Sequence, residues 1–173
     1  MRRLLVVLIV LTLALVGGGC GSSKSSSQAP SSSASQPSAN TTHFAKTKFA
    51  LHAGLAFGAF HRYIFKPYTE GKFSGGLRHR KLATAKAAIA AGFAYHEVRL
   101  ALNDARSSKI LSKVLSPLLA LQTKLSSLRD GLRHGNANAA EINSANGNTG
   151  SINAQSSKVG QPIQDQPTPQ LGG

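Results

Sequence analysis

Apolar residues recur at helical spacing through the middle of the chain. The sharpest pattern alternates spacings of three and four and consists of Leu111, Val114, Leu118, Leu121, Leu125, Leu128 and Leu132. Such spacing places one apolar stripe along an α-helix. We interpret it as the core-facing side of a helix in a small bundle rather than as a dimeric coiled coil, because the helices upstream need a partner.

The ends of this helix, which is the third of the predicted bundle, are marked by proline and glycine. Pro117 lies inside the apolar stripe, and an interior proline costs a helix roughly 3 kcal/mol. We therefore expect either a new helix that starts at Ser116 and Pro117 or a kink there. Gly135 is a suitable residue for the position just after the helix.

Two more helices are predicted upstream of this one. The first begins at Thr41 or Thr42 and ends at Phe65, and the second runs from Leu77 to Leu102. The loop between them, residues 66–76, contains the proline and glycines that turns require.

Small residues in both helices predict close packing between them. In the first helix Ala50, Gly54 and Gly58 recur every four residues, and the middle of the second is rich in alanine. The core-facing side of the second helix is expected to include Leu82, Ala85, Ile89, Phe93, His96 and Leu100. The predicted fold is all-α, a small bundle of three helices, with four as the alternative, in residues 42–135.

The segments on either side of this domain have other compositions. Arg2 and Arg3 precede an apolar run from Leu4 to Val16, and residues 1–19 are typical of a signal peptide. A membrane-spanning helix needs about 20 apolar residues, so an uncleaved anchor is the weaker alternative. Residues 20–41 are predicted to be a serine-rich disordered linker, and residues 136–173, rich in Asn, Gln, Gly and Pro, a disordered tail. A short helix near residues 138–145 and a repeat that docks on the domain are alternatives for that tail.

Cys20 is the only cysteine and directly follows three glycines. This segment resembles the leader of bacterial lipoprotein precursors, in which small residues precede a cysteine that receives diacylglycerol and becomes the new N-terminus. Gly18 and Gly19 match that pattern, whereas Gly17 stands where the family usually has leucine. The resemblance implies lipidation of Cys20 and anchoring outside the cytoplasmic membrane. In the alternative, ordinary secretion, Cys20 would remain an exposed thiol without a disulfide partner.

The charge of the chain favours anionic partners. It has 20 lysines and arginines against 6 acids, a formal net charge of +14. The predicted anion-binding patch consists of Lys72, Arg78, His79, Arg80, Lys81 and Lys86. Protonation of His79 would strengthen the contact in acid. An anionic lipid, a wall polymer or an envelope protein fits this patch, whereas nucleic acid is not expected outside the cytoplasm.

Catalytic motifs are absent from the sequence. The predicted domain contains the acids Glu70, Glu97, Asp104 and Asp130, which are spread along the chain without a paired-carboxylate, phosphate-loop or nucleophile-elbow pattern. We therefore expect a non-enzymatic, monomeric binding or structural module without a cofactor.

The histidines allow one alternative function. His52 or His61 of the first helix could face His96 of the second and bind haem or a transition metal between the helices.

Overall fold

The computed structural model describes residues 39–171. The predicted signal peptide, Cys20 and nearly all of the predicted linker lie outside these residues. In chain order the elements are α1 (Ala39–Phe60), a π-helical segment (His61–Phe65), α2 (Lys66–Thr69), α3 (Leu77–Arg106), a 3₁₀ helix (Lys109–Val114), α4 (Leu115–Arg133) and α5 (Ala139–Lys158). Within residues 39–171 every regular element is helical and four of the helices are long, which confirms the all-α fold.

The first helix extends further than the sequence predicted. Its π-helical segment, in which the Lys66 N–H donates to the carbonyl of His61, leads directly into α2. Pro67 lies in the first turn of α2, where its missing N–H costs little. The loop before α3 therefore begins at Glu70 rather than at residue 66.

The apolar stripe of α4 is buried as predicted. Every residue of the stripe, from Leu111 to Leu132, is at most 1% exposed. The helix begins at Leu115 after the 3₁₀ helix, so Pro117 is accommodated within the first turn, two residues further into the helix than expected. Gly135 has a φ of 76° and donates its N–H to the Leu132 carbonyl, which confirms its role after the helix end.

The core-facing side of α3 was assigned incorrectly. Leu82, Ala85, Ile89 and His96 are exposed, and Phe93 and Leu100 are only partly buried. The buried side consists of Thr84, Ala87, Ala88, Ala90, Ala91, Ala94, Glu97, Val98, Ala101, Leu102 and Ala105. Small side chains let the backbone of α3 approach α1, which contributes three large buried rings to the same core, Phe49, Phe57 and Phe60.

The expectation of disorder over residues 136–173 is corrected by α5. The side chain of Asn138 caps this helix by accepting hydrogen bonds from the N–H groups of Ala140 and Glu141, at 2.9 and 3.3 Å. The buried residues of α5 recur at spacings of three and four: Ile142, Ala145, Thr149, Ile152 and Ser156. Only two of them are large and apolar, so the composition of the segment does not indicate that it forms an amphipathic helix.

Residues 161–171 lie in extended form against the glycine side of α1. The N–H of Gln166 donates to the carbonyl of Gly54 at 3.0 Å. A Cβ at Gly54 would collide with the Gln164 carbonyl oxygen, and a Cβ at Gly58 would collide with that of Gln166. The glycines therefore allow close approach, as predicted, but the element that approaches them here is an extended segment rather than a helix.

Polar contacts hold the rest of this C-terminal segment. The Tyr63 hydroxyl donates to the Pro169 carbonyl at 3.0 Å and accepts from the Leu171 N–H at 3.3 Å. His61 Nδ1 lies 2.6 Å from a carboxylate oxygen of Asp165. Residues 165–171 are thus tied to α1 and the π-helical segment, whereas the Ile163 N–H donates to Asn153 Oδ1 of α5 at 2.9 Å.

Replacing Gly58 with alanine should release this segment. The new methyl group would overlap the Gln166 carbonyl, and overpacking of this kind costs about 1–3 kcal/mol. Alanine inside a helix is about 1 kcal/mol more favourable for folding than glycine, which offsets part of this cost. We expect a lower melting temperature and faster amide exchange at Gln166.

Gly147→Ala in α5 is the matched control, because a Cβ there meets no atom within 4 Å. It should raise stability by about 1 kcal/mol. If Gly58→Ala stabilised the protein equally and left exchange at Gln166 unchanged, the close contact would be absent in solution.

Candidate functional site

The predicted basic patch surrounds the first turns of α3. Arg78, His79, Arg80 and Lys81 are all exposed, and Gly76 offers no side-chain cap to the helix. Consecutive residues of an α-helix point about 100° apart, so these four side chains radiate around the helix axis. The residues of the patch are consequently divided between two grooves and the exposed start of α3.

The first groove, the loop pocket, lies between the π-helical segment, α2, the loop that follows and α3. Its volume is about 690 Å³. Lys72, His79 and Lys86 of the predicted patch line it, and the fold adds Arg62 and Lys66. Its other lining residues are Tyr63, Pro67, Glu70, Gly75, Gly76, Leu82 and Ala83. Four lysine and arginine side chains and one histidine thus surround a partly apolar cavity.

Glu70 is the one acid in the loop pocket. Its carboxylate oxygens lie 2.6 Å from Lys72 Nζ and 4.0 Å from Lys66 Nζ. The hydrogen bond from Lys72 holds the pKa of the Glu70 carboxyl below its usual value. Glu70 therefore remains ionised and places one negative charge beside the lysines of the pocket.

The second groove, the α4 groove, has a volume of about 640 Å³ and lies between α3 and the end of α4. Its basic lining residues are Lys81, Arg129, Arg133 and His134. The Arg129 guanidinium is 5.7 Å from the centre of the Tyr95 ring and donates to the Asp130 carboxylate at 3.0 Å. Three of these four basic residues come from outside the predicted patch.

An exposed apolar ridge separates the two grooves. We define the ridge as Leu82, Ala85 and Ile89 of α3. Leu82 lines the loop pocket, while Ala85 and Ile89 line the α4 groove. Leu82 is 59% exposed and Ile89 58% exposed. Isolated exposed apolar residues are common, but this pair projects between two basic grooves and forms an amphiphilic surface.

His52 binds acidic residues of α3. Its Nδ1 lies 2.7 Å from a carboxylate oxygen of Glu97, which is buried, and its Nε2 lies 3.9 Å from Asp104 Oδ2. That Asp104 oxygen is buried and has no hydrogen-bond partner. Burial raises the pKa of the Asp104 carboxyl despite the nearby His52 and Lys48.

The histidines of the alternative function have different surroundings. His52 contacts carboxylates of α3, His61 contacts Asp165 of the C-terminal segment, and His96 is exposed. Within residues 39–171, no group of three or more His, Cys, Asp and Glu side chains could hold a metal ion. The donor geometry there gives the metal alternative no support.

His61 also approaches a hydroxyl group. Its Nε2 lies 3.4 Å from Thr149 Oγ1, and the same hydroxyl donates to the Asn146 carbonyl at 2.7 Å. Thr149 is only 3% exposed. The contact thus joins α5 to the first helix, and the hydroxyl is inaccessible to a substrate.

Comparisons with known proteins give no relative. No family model matches the chain, and neither the curated proteins nor the solved structures contain a match. Among the described helices, none combines the length and apolar character needed to cross a bilayer.

Asp104→Asn should stabilise the protein at neutral pH. Because the folded-state pKa lies above its ordinary value of 3.8, the folded protein binds this proton more tightly than the unfolded chain does. The charge of Asp104 therefore lowers stability as the pH rises through the raised pKa. We expect a gain below about 1 kcal/mol, since solvent screens a partly exposed group.

Thermal unfolding measured at neutral pH and below pH 3.8 tests this expectation, since the gain should disappear in acid. Asp130→Asn is the control because it removes the same charge from an exposed site. An equal effect from both substitutions would assign the change to net charge instead of to burial of Asp104.

Proposed function

We propose that this protein is an exported lipoprotein, anchored through Cys20, whose helical domain docks on the anionic surface of a lipid bilayer. The docking surface is the ridge together with the basic residues on either side of it. The domain acts as a binding module, without catalysis.

The observation that carries the proposal is the position of the ridge between two basic grooves. Lysine and arginine side chains near an anionic leaflet contribute about 1 kcal/mol each. Leu82 and Ile89 can add a second contribution, because burying apolar surface contributes about 25 cal/mol per Å². A hydrated acidic wall polymer would satisfy the cations but would leave these two side chains in water. The combination favours a lipid surface.

The lipid anchor implied by Cys20 complements this surface. One acyl chain alone gives reversible binding, whereas two chains, or a chain with a basic patch, give stable association. Diacylglycerol at Cys20 would supply two chains, and the basic surface of the domain would then govern how the domain lies on the membrane.

The anchor is tested by intact-mass measurement of the protein from the membrane fraction. We expect a chain that begins at Cys20 and carries the mass of diacylglycerol. Cys20→Ser should abolish both the added mass and the membrane retention. An unprocessed leader, or a soluble product with a free thiol, would refute the anchor.

Docking is tested with the unanchored chain that begins at Gly21 and vesicles with or without an anionic phospholipid. Binding should require the anionic lipid and weaken as salt screens the charges. Replacing Leu82 and Ile89 together with serine should lower the affinity about tenfold, which corresponds to about 1.4 kcal/mol. The matched control replaces Ile110 and Leu119, which are 45% and 46% exposed outside the ridge.

A second pair of variants separates charge from apolar contact. Arg78→Gln with Lys81→Gln should lower binding more than tenfold at low salt, whereas the exposed pair Arg106→Gln with Lys113→Gln should have little effect. If the charge variants alone weakened binding and the serine variants did not, a polyanion such as a wall polymer would replace the bilayer as the partner.

A further inference from the structure

We infer that the loop pocket holds one anionic phospholipid, with the phosphodiester among its cations and the start of an acyl chain against its apolar wall. This inference rests on the proposed function and assigns a specific ligand to one part of the docking surface. The protein would then bind a single lipid molecule in addition to the general charge of the membrane.

The cations of the loop pocket are suited to a phosphate group. Arg62 and Lys66 lie four residues apart along the helix and enter from one side, while Lys72 belongs to the loop. An arginine can give a phosphate two parallel hydrogen bonds, and lysine adds a mobile charge. Glu70 lies 2.6 Å from Lys72 and 4.0 Å from Lys66, so a single carboxylate faces two lysines, and the lining of the pocket holds more cations than anions.

The opening of α3 contributes to the same site. Gly76, the residue before the helix, lines the pocket, and no side chain caps the first-turn N–H groups. Such groups attract anions. Neither Gly75 nor Gly76 has an atom within 4 Å of the position that a Cβ would take. The space beside the helix start is therefore open to a ligand.

The apolar part of the pocket distinguishes a lipid from a free anion. Tyr63, Pro67, Leu82 and Ala83 form this part of the lining. The volume of about 690 Å³ lies within the range of pockets that bury most of a small ligand, roughly 300–1,000 Å³. Inorganic phosphate would leave most of this space and all of the apolar wall without a partner.

Leu82 connects the pocket to the membrane. It belongs to the ridge, which we propose to contact the bilayer, and it also lines the loop pocket. A phospholipid could therefore keep its acyl chains at the ridge, toward the bilayer, while its headgroup enters the pocket.

Photocrosslinking provides the test. The protein as isolated from cells is mixed with phosphatidylcholine vesicles that contain a minor fraction of diazirine-bearing phosphatidylglycerol, or the same probe with a choline headgroup. After irradiation, labelled peptides are mapped by mass spectrometry. We expect the glycerol probe to label the residues around Tyr63 and Ala83 several-fold more than the choline probe does.

Variants of the pocket make the test specific. Arg62→Gln with Lys66→Gln should lower this labelling several-fold, while Lys113→Gln with Lys124→Gln, outside the pocket, should preserve it. Gly75→Trp adds a bulky side chain to the lining of the pocket without changing its charges and should also lower the labelling. Circular dichroism confirms that each variant keeps its helical content.

The outcomes separate this inference from the proposed function. Labelling confined to the ridge, or equal labelling by both probes, would refute the lipid site while vesicle binding remained. Loss of labelling in millimolar inorganic phosphate at constant ionic strength would identify a phosphate site instead of a lipid site. If neither the wild-type protein nor any variant bound the anionic vesicles, the proposed function itself would be refuted.

Discussion

Helix α3 packs into the core through alanine instead of through its larger apolar side chains. Ala87, Ala91 and Ala94 are fully buried beneath the phenylalanine rings of α1 in the same core. Because a helix has one buried side, this choice places Leu82 and Ile89 on the opposite, exposed side. The composition of the core therefore determines the surface, and the amphiphilic ridge is a direct consequence of close packing between α1 and α3.

The acidic residues are distributed so that they leave this surface positive. Glu97, Asp104 and Asp165 contact histidines of the first helix, away from the ridge. Glu70 lies beside one groove and Asp130 beside the other, and each of these two is paired with a neighbouring basic residue. The electrostatic asymmetry of the domain thus arises from where the few acids lie as much as from the number of cations.

The elements that could be predicted from the sequence are those whose burial depends on large apolar side chains at regular spacing. The stripe from Leu111 to Leu132 is the clearest example, since each residue of it is buried. For α5 the polar composition predicted disorder, with a short helix near residues 138–145 only as an alternative. Its full length was missed because Thr149 and Ser156 occupy buried positions and satisfy their hydroxyls with carbonyls three residues earlier. The path of residues 161–171 depends on main-chain contacts with Gly54 and Gly58, which leave no apolar periodicity to detect.

The residues of the basic patch could be predicted from the sequence, but their arrangement in space could not. Four consecutive basic residues at the start of a helix cannot face one direction, so the patch divides around α3. Lys66 joins the loop pocket because α2 carries the first helix past Phe65, at which it was expected to end, and Arg62 lies one turn before Lys66.

Binding to an anionic surface would also reduce the repulsion among the positive charges of the domain. The full sequence has a formal net charge of +14, to which the leader contributes only Arg2 and Arg3. The excess of positive charge in the domain makes its compact fold repel itself, and the cations concentrated around α3 contribute to that repulsion. A ligand that binds only the folded state stabilises it by mass action. The interaction that recruits the domain to a membrane would therefore also favour its compact state, so membrane docking and folding would be thermodynamically coupled.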